Sequence, residues 1–398
     1  CEALCKILKW GVVEVLAILD SDSSRWGEEV DGIIVEAPIR MRVFRDVNIC
    51  ITVADISAVK KIRKDLKHIY EYDLNKEVGY HELILEIYKK NYKIEQKAPF
   101  QKIDRNKDNV MFDCYNGLGL GGVETWTIGL CKALLKKSNK YIYIITDNGV
   151  YNVADELKEH VINVDINHNE QFSISTVVDL VDLIIEKLPC KVITCTTNEV
   201  MLAAYLVKRY YPDMIQIISV IHNSNEKVYK EYMEFRECSD IYVGVSQDIK
   251  KEMMFKGIMT KNIYSIVCPF ECPKILKRIY TEERSVPIHI GYAGRMDGMR
   301  HSQKRMDLLI KLIEILVKKD ICFDFALAGD GVARSEMEEI VCSNHWEEKV
   351  HFLGTLEHSE MPNFWKEKDI CINLADYEGR SISIIEAMGN GEKLDDWL

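Results

Sequence analysis

Residues 376–391 read DYEGRSISIIEAMGNG, and this stretch carries the most specific chemical signal in the chain. Glu378 lies in a loop that follows a predicted strand, and Glu386 lies about two turns into the predicted helix after that loop. A carboxylate therefore stands on each side of a helix start. A pair of glutamates at this spacing often arises by chance in a glutamate-rich chain. The sequence of residues 376–391 as a whole does not. The stretch predicts a strand–loop–helix turn of an α/β fold, built around a ligand.

The start of this helix is a predicted anion site. N–H groups in the first turn of a helix have no partner inside the helix, and the helix dipole is positive there. The N–H groups of Arg380, Ser381 and Ile382 can therefore hold a phosphate. The two flanking carboxylates would then accept hydrogen bonds from sugar hydroxyls.

A second predicted anion site lies upstream, again at a strand end. Gly294 and Arg295 follow a predicted strand at 289–293, and Lys304 stands just before an amphipathic helix. Arginine offers a bidentate fork and lysine a point charge, so the two can clamp a diphosphate. Two surface cations in a loop are the alternative interpretation.

A glycine-rich loop, NGLGLGGVE at 116–124, lies between another predicted strand and helix. Glycines let the backbone approach a ligand closely, and Gly121 and Gly122 directly precede the helix. Gly117, Gly119 and Gly122 also satisfy G-x-G-x-x-G, which keeps a dinucleotide site open, as does a tight turn with no ligand. A Walker P-loop is excluded because no Lys-Ser or Lys-Thr follows.

His222 follows a predicted buried strand at 214–221. The carboxyl end of a parallel strand faces the crevice in which open α/β sheets bind ligands. A single histidine is more often a packing residue, so His222 is a candidate only together with the other motifs.

The first hundred residues also alternate strand and helix patterns. Strands are predicted at 14–19 and 47–53 and an amphipathic helix at 56–70, which indicates a partial Rossmann-like segment whose ligand stays open. Its first strand and glycine loop would lie before Cys1, where we expect sequence to be missing. Residues 96–108 are polar, lack periodicity and are predicted to be a linker.

Bulk composition limits the function classes. A chain of 398 residues with 47% apolar residues predicts two or three globular domains. The net charge of −11 argues against nucleic-acid binding and weakens any attraction to anionic lipid, although a local basic patch could be hidden in the total. The 13 cysteines lack C-x-x-C spacing, which favours reduced thiols over a metal site or disulfides. No apolar run approaches the roughly 20 residues of a transmembrane helix.

Several motifs occur in a fixed order: Gly121-Gly122, His222, Gly294-Arg295, Lys304, Gly329-Asp330-Gly331 and residues 378–391. With this order the chain resembles the family 4 retaining glycosyltransferases of the GT-B fold. The resemblance covers about residues 109–391, and the order of the motifs makes it far more specific than any one of them.

The resemblance implies an α/β fold with two Rossmann-like domains facing a cleft. Residues 109–285 would form the acceptor domain and residues 286–391 the donor domain, after the partial domain at 1–95. The family continues past Gly391 with a Pro-Val strand, whereas residues 392–398 read EKLDDWL. We therefore expect a truncated donor domain with an aberrant tail, and an intact gene product that is longer.

The resemblance also implies roles for the candidate residues. Arg295 and Lys304 would neutralise the donor diphosphate, Glu386 would hold the ribose, and Glu378 would contact the transferred sugar. His222 would lie beside the sugar. The remaining glycines would line the phosphate and acceptor side of the cleft (Gly121, Gly122), the donor loop (Gly294) or a turn near the base pocket (Gly329, Gly331).

The implied activity is hexosyl transfer from a nucleoside-diphosphate sugar to a glycan or lipid-linked acceptor, with retained anomeric configuration, in surface polysaccharide or cell-envelope biosynthesis. No metal or other cofactor would be required. The expected location is cytoplasmic, with peripheral contact at the inner face of the membrane when the acceptor is lipid-linked. Two alternatives stay open: an NAD-dependent nucleotide-sugar enzyme and a non-catalytic nucleotide-binding scaffold.

Overall fold

The computed structural model describes residues 2–44, 46–53, 56–94, 109–114, 121–137, 141–147, 155–164, 171–258, 262–267, 287–300, 302–357 and 359–389. The chain divides into two compact units, Cys1–Val267 and Cys268–Leu398. The predicted linker at 96–108, the predicted boundary at 285/286 and the tail at 392–398 lie outside the described residues.

The described residues of the N-terminal part of the first unit contain short strands and α-helices. The elements are α1 (Glu2–Trp10), β1 (Ile18–Leu19), β2 (Glu29–Val30), β3 (Ile33–Glu36), β4 (Ile49–Cys50), α2 (Ile56–His68), β5 (Glu77–Val78) and α3 (Tyr80–Asn91). Strand β3 pairs parallel with β1 and antiparallel with β2, and β4 pairs parallel with β5.

This part differs from the Rossmann-like segment expected at 1–95. The helix predicted at 56–70 is present as α2, but the two predicted strands lie in separate small sheets, one of them mixed. The paired stretches are only two to four residues long. A small core of their own lies around Met41, Leu66 and Tyr72. Among the described residues of this part, the strands form two separate sheets rather than one continuous parallel sheet.

Helix α3 attaches this part to the rest of the first unit. Its Tyr88 is fully buried, and the Tyr88 hydroxyl donates a 2.7 Å hydrogen bond to the Phe172 carbonyl. Arg209 donates to the Lys89 carbonyl at 2.7 Å, and the His81 N–H donates to Glu234 at 3.0 Å. Buried and charge-assisted hydrogen bonds therefore join the two parts.

The main sheet of the first unit has seven strands, all parallel. They are β6 (Asn109–Cys114), β7 (Tyr141–Thr146), β8 (Val161–Asn163), β9 (Cys190–Thr194), β10 (Ile215–Ile221), β11 (Ile241–Gly244) and β12 (Ile263–Ser265). Their spatial order is β12-β11-β10-β9-β6-β7-β8. The order reverses between β6 and β9, which is the Rossmann arrangement.

The described parts of the connections contain the helices α4 (Gly122–Lys137), α5 (Asp155–Lys158), α6 (Ile174–Glu186), α7 (Glu199–Tyr210), α8 (Glu226–Glu234) and α9 (Gln247–Phe255). Polar N-caps fix several starts. The side chains of Ser173, Asn198 and Ser246 each accept a backbone N–H from the first turn of the following helix. Local sequence therefore sets these boundaries.

The second unit repeats the pattern on a smaller scale. Its strands are β13 (Ile288–Ala293), β14 (Phe323–Ala328), β15 (Val350–Gly354) and β16 (Ile370–Cys371), and its helices are α10 (Met306–Lys318), α11 (Arg334–Ser343), α12 (Met361–Lys366) and α13 (Ile382–Gly389). The strands are parallel in the order β15-β14-β13-β16, which reverses between β13 and β16. The predicted pair of Rossmann-like domains is thus confirmed. No helix among the described residues is long and apolar enough to span a bilayer.

Candidate functional site

The candidate site of the second unit lies where the strand order reverses. In open parallel sheets, ligands bind beyond the carboxyl ends of the two strands at this point. Gly294 and Arg295 follow β13, and the loop 376–378 follows β16. The two most specific sequence motifs therefore meet at one sheet edge.

Lys304 and Glu378 are in direct contact at this edge. The Lys304 ammonium forms a short ion pair with the Glu378 carboxylate, and the two side chains are only 14% and 26% exposed. Because the pair is partly buried, salt and solvent screen its attraction less than that of an exposed pair. The structure thus joins two residues that the sequence analysis assigned to different motifs.

Arg295 is oriented differently. Its side chain is 64% exposed, and its Nε lies 3.6 Å from Asp297 Oδ1. Its carbonyl oxygen accepts a 2.8 Å hydrogen bond from the hydroxyl of Tyr292, whose pKa is raised well above its ordinary value by burial. The Tyr292 hydroxyl therefore fixes the backbone of Arg295, while the Arg295 guanidinium stays at the surface beside the Asp297 carboxylate.

Close backbone packing explains two glycines of the second unit, Gly329 and Gly331. Gly294 N–H donates to the Ala328 carbonyl at 3.0 Å. Gly329 has φ +138°, and a β-carbon there would overlap the Gly294 carbonyl oxygen; Gly331 has φ +150° and would overlap the Met296 carbonyl oxygen. These conformations are accessible only to glycine. The glycines pack the loop after β14 directly against the loop after β13.

The helix start on which the predicted anion site depends lies slightly further along the chain than expected. The helix begins at Ile382, so Arg380 and Ser381 lie just before it. The hydroxyls of Ser381 and Ser383 are 2.9 Å apart. Of the three predicted N–H groups, only that of Ile382 belongs to the first turn.

Glu386 lies deeper than Glu378. It is 7% exposed, and the indole N–H of the fully buried Trp365 donates to Glu386 Oε2 at 3.4 Å. The two glutamates of the motif therefore differ in environment, one paired with a lysine at the sheet edge and the other enclosed between α12 and α13.

Sequence analysis missed a set of contacts that joins the loop before α10 to the loop after β16. The Asp376 N–H donates to the Gln303 carbonyl at 2.9 Å, and Gln303 Nε2 donates to the Tyr377 carbonyl at 3.0 Å. Arg305 Nη1 donates to Asp376 Oδ1 at 2.8 Å. These residues are more than 70 positions apart, so no local pattern could reveal the contacts.

In the first unit, His222 directly follows β10; the residue is partly buried and its Nε2 atom is enclosed. Burial lowers the pKa of His222 to about 4, so the ring is neutral at neutral pH. The Trp126 ring meets it edge-on, with centroids 5.2 Å apart. His222 Nε2 has no hydrogen-bond partner among the described residues. A neutral, enclosed imidazole is suited to hydrogen bonding rather than to charge stabilisation.

Only part of the glycine-rich loop is described. Gly117 and Gly119 lie outside the described residues, so the dinucleotide motif is not tested. Gly122 is the first residue of α4, and the Gly121 carbonyl accepts the Thr125 N–H at 3.0 Å.

At the carboxyl end of β6, Asn198 Nδ2 donates to both Asp113 oxygens, at 3.1 and 2.9 Å, which joins β6 to the loop after β9.

The described residues contain no group of three histidine, cysteine, aspartate or glutamate side chains placed to hold a metal ion.

Comparison with known proteins agrees with the fold. Residues 287–392 match the family model described as glycosyl transferases group 1. The chain is 21% identical over 192 residues to mannosylfructose-phosphate synthase of Agrobacterium fabrum, covering 46% of this chain and 42% of that protein. It is 23% identical over 234 residues to the O-antigen biosynthesis glycosyltransferase WclY of Escherichia coli, covering 59% and 61%. The chain thus spans less than two thirds of either relative.

Among solved structures, Anabaena HepE in complex with UDP-glucose aligns with a TM-score of 0.56 at 15% identity, over 72% of this chain and 79% of HepE. At this low identity, the structural similarity establishes the fold and nothing further. The fold is accordingly of the GT-B type, built from two Rossmann-like units.

Proposed function

We propose that this chain is a retaining glycosyltransferase that moves a hexose from a nucleoside-diphosphate sugar to a glycan or lipid-linked acceptor, in surface polysaccharide or cell-envelope biosynthesis. The observation that carries the proposal is the Lys304–Glu378 ion pair at the point where the sheet order of the second unit reverses. The pair offers a cation for a phosphate and a carboxylate for a sugar hydroxyl at one place. The family match over residues 287–392 supports the same activity.

The donor diphosphate would lie between Arg295, Lys304 and the start of α13. A fork, a point charge and the helix dipole together supply the positive potential that a leaving diphosphate needs. Removing one contact that stabilises developing charge typically raises a barrier by about 3–4 kcal/mol. No metal ion is required in this scheme.

The sugar and ribose would be held by the two glutamates. Glu378 would accept a hydrogen bond from the transferred sugar once Lys304 turns towards the diphosphate. Glu386, enclosed beside Trp365, would accept from the ribose hydroxyls after a modest side-chain movement. Their different burial suits two hydroxyl groups at different depths.

Transfer would proceed on the face of the sugar that the leaving group occupies. The bond between the anomeric carbon and the diphosphate oxygen breaks, and the acceptor oxygen bonds to the same face of that carbon. The acceptor proton passes to the departing diphosphate. No carboxylate nucleophile takes part, so Glu378 acts by contact with the sugar and configuration is retained.

The first unit would supply the acceptor side. Its candidates are His222, a neutral hydrogen-bonding group at the carboxyl end of β10, and Gly121 and Gly122 at the start of α4. HepE is crystallised with UDP-glucose, so uridine donors are the first to test. The relatives are named for mannosylfructose phosphate and for O-antigen biosynthesis, so sugar phosphates and O-antigen glycans are the first acceptors to offer.

The test is turnover by the full chain with UDP- and GDP-sugars, followed as nucleoside-diphosphate release and transferred sugar. We expect Lys304→Ala and Glu378→Ala each to lower turnover by about 100-fold or more. Lys311→Ala on the exposed face of α10 and Glu336→Ala on α11 are matched controls with normal turnover. Wild-type turnover in both site variants, with the fold intact by circular dichroism, would refute the site.

A further inference from the structure

Arg305 has an unusual backbone conformation beside the candidate donor site. Its φ and ψ are +50° and +57°, in the left-handed region, and its side chain does not cap α10. This region carries a steric cost for every residue with a β-carbon and none for glycine. An arginine that keeps this conformation is expected to be compensated through its side chain.

The Arg305 guanidinium connects two elements that are distant in sequence. Nε and Nη2 bind Asp307 Oδ1 and Oδ2 at 2.9 and 3.0 Å, while Nη1 binds Asp376 Oδ1 at 2.8 Å. Asp307 is in the first turn of α10, and Asp376 is on the loop after β16. The planar fork fixes direction as well as distance, which a lysine could not do.

The two residues that this bridge flanks are the ones that form the site. Lys304 directly precedes Arg305, and Glu378 lies two positions after Asp376. Two further hydrogen bonds, between Gln303 and the backbone of the 376–377 segment, run alongside. The Arg305 bridge and the Gln303 hydrogen bonds therefore lie beside the Lys304–Glu378 pair and tie together the two loops that carry it.

An ordinary surface ion pair is the competing explanation. Exposed pairs contribute little to stability and are easily lost. Arg305 and Asp307 are only 27% and 23% exposed, however, while Asp376 is 50% exposed. The contact is made by three guanidinium nitrogens to two carboxylates, which separates it from a single exposed pair. A pair that served α10 alone would need Asp307 but not Asp376.

We infer that Arg305 is a positioning residue: its bridge from Asp307 to Asp376 holds the two loops so that Lys304 and Glu378 stand in place before the donor binds. The binding consequence rests on the proposed function, whereas the bridge itself does not. Loss of the bridge should loosen the 376–381 segment and weaken donor binding. It should leave global stability nearly unchanged, because a glycine at 305 also relieves the left-handed strain.

The first experiment is amide hydrogen exchange of residues 376–381 in the wild type, Arg305→Gly and Asp376→Asn. We expect exchange about 10-fold faster in both variants, and no faster in the double variant than in the single ones. His345→Gly is the matched control, because His345 is exposed and also has φ +56° in the same unit but lies at the end of α11. It relieves the same strain without touching the bridge. Unchanged exchange in Arg305→Gly would overturn the inference.

The second experiment measures UDP and GDP affinity by calorimetry alongside the melting midpoint. We expect Arg305→Gly and Asp376→Asn to bind the diphosphate about 10-fold more weakly with midpoints close to that of the wild type. A merely structural role would lower the midpoint and affinity together, and unchanged affinity would overturn the positioning role. If the wild type binds neither diphosphate, the proposed function fails, while the exchange result still decides whether the bridge exists.

Discussion

Replacing Gly329 by alanine should destabilise the second unit far more than an ordinary glycine substitution. Gly329 has φ +138°, where a non-glycine residue costs about 1–3 kcal/mol. The added β-carbon would also overlap the Gly294 carbonyl oxygen. That overlap can be relieved only by moving backbone, since both groups are held by the sheet: Gly294 N–H bonds to Ala328 and Gly329 N–H to Gly354. We expect a total loss of about 3 kcal/mol.

Hydrogen exchange of the β13 and β14 amides in the full chain measures this loss locally. A loss of about 3 kcal/mol corresponds to exchange about 100-fold faster, since each 1.4 kcal/mol is a factor of ten. Exchange of the seven-stranded sheet in the first unit should not change, because the overlap lies within the second unit. That internal reference separates a local effect from a general one.

Gly354→Ala is the matched control. Gly354 has φ +72°, and a β-carbon there would stand 3.4 Å from the flexible end of Arg334. Only the left-handed backbone costs free energy, about 1 kcal/mol, so exchange should quicken about five-fold. Equal effects of the two substitutions, or less than a three-fold change with Gly329→Ala, would refute the packing argument.

Three other predictions concern single side chains. For His222, the folded pKa of about 4 lies below the unfolded value, so unfolding takes up a proton as the pH falls and the protein becomes less stable. The free energy of urea unfolding should fall between pH 7 and pH 5 by about 2 kcal/mol less in His222→Gln than in the wild type, and an equal fall would contradict a neutral ring with an enclosed Nε2. For Glu378, the variant Glu378→Gln removes the carboxylate that competes with the diphosphate for Lys304, so UDP or GDP should bind about five-fold more tightly although sugar transfer falls. Calorimetry measures the affinity, and weaker binding would argue against this competition. For Tyr88, the variant Tyr88→Phe leaves the buried Phe172 carbonyl without the Tyr88 hydroxyl, so the free energy of unfolding should fall by about 1 kcal/mol. Proteolysis within residues 80–91 should become faster, and unaltered cleavage would show that this hydrogen bond does not anchor α3.

The alternation of strands and helices could be predicted because the central parallel strands are largely buried on both faces. Segments such as Ile215–Ile221 and Phe323–Ala328 are therefore nearly continuous apolar runs, bounded by polar turns. The location of the second-unit motifs at strand ends followed from the same runs. The strand order, and with it the meeting of β13 and β16, is decided by tertiary pairing.

The N-terminal part could not be predicted in the same way. Strands of two residues, such as Ile18–Leu19 and Ile49–Cys50, have no periodicity of their own, and their partners are chosen by the surrounding packing. The apolar runs at 14–19 and 47–53 predicted strands but not separate sheets. Propensity therefore gave the right helix, α2, and the wrong architecture around it.

Within the candidate site, residue identity was predictable but environment was not. Arg295 and Glu386 were both predicted as site residues, yet Arg295 is mostly exposed and Glu386 is buried beside Trp365. Arg305 was not among the predicted site residues, because its partner Asp376 lies 71 positions away. Burial and long-range pairing depend on the whole fold and leave no mark on local spacing.

Ligand-dependent melting of the full chain tests the central claim, a nucleoside-diphosphate site at Lys304 and Arg295, most directly. Ligand at about 100 times its dissociation constant adds about 2.7 kcal/mol, which moves a cooperative transition by several degrees. We predict a rise with UDP or GDP and their sugar conjugates that disappears in Lys304→Ala and Arg295→Ala. A rise with NAD alone, or a diphosphate-induced rise that persists in both variants, would contradict the claim.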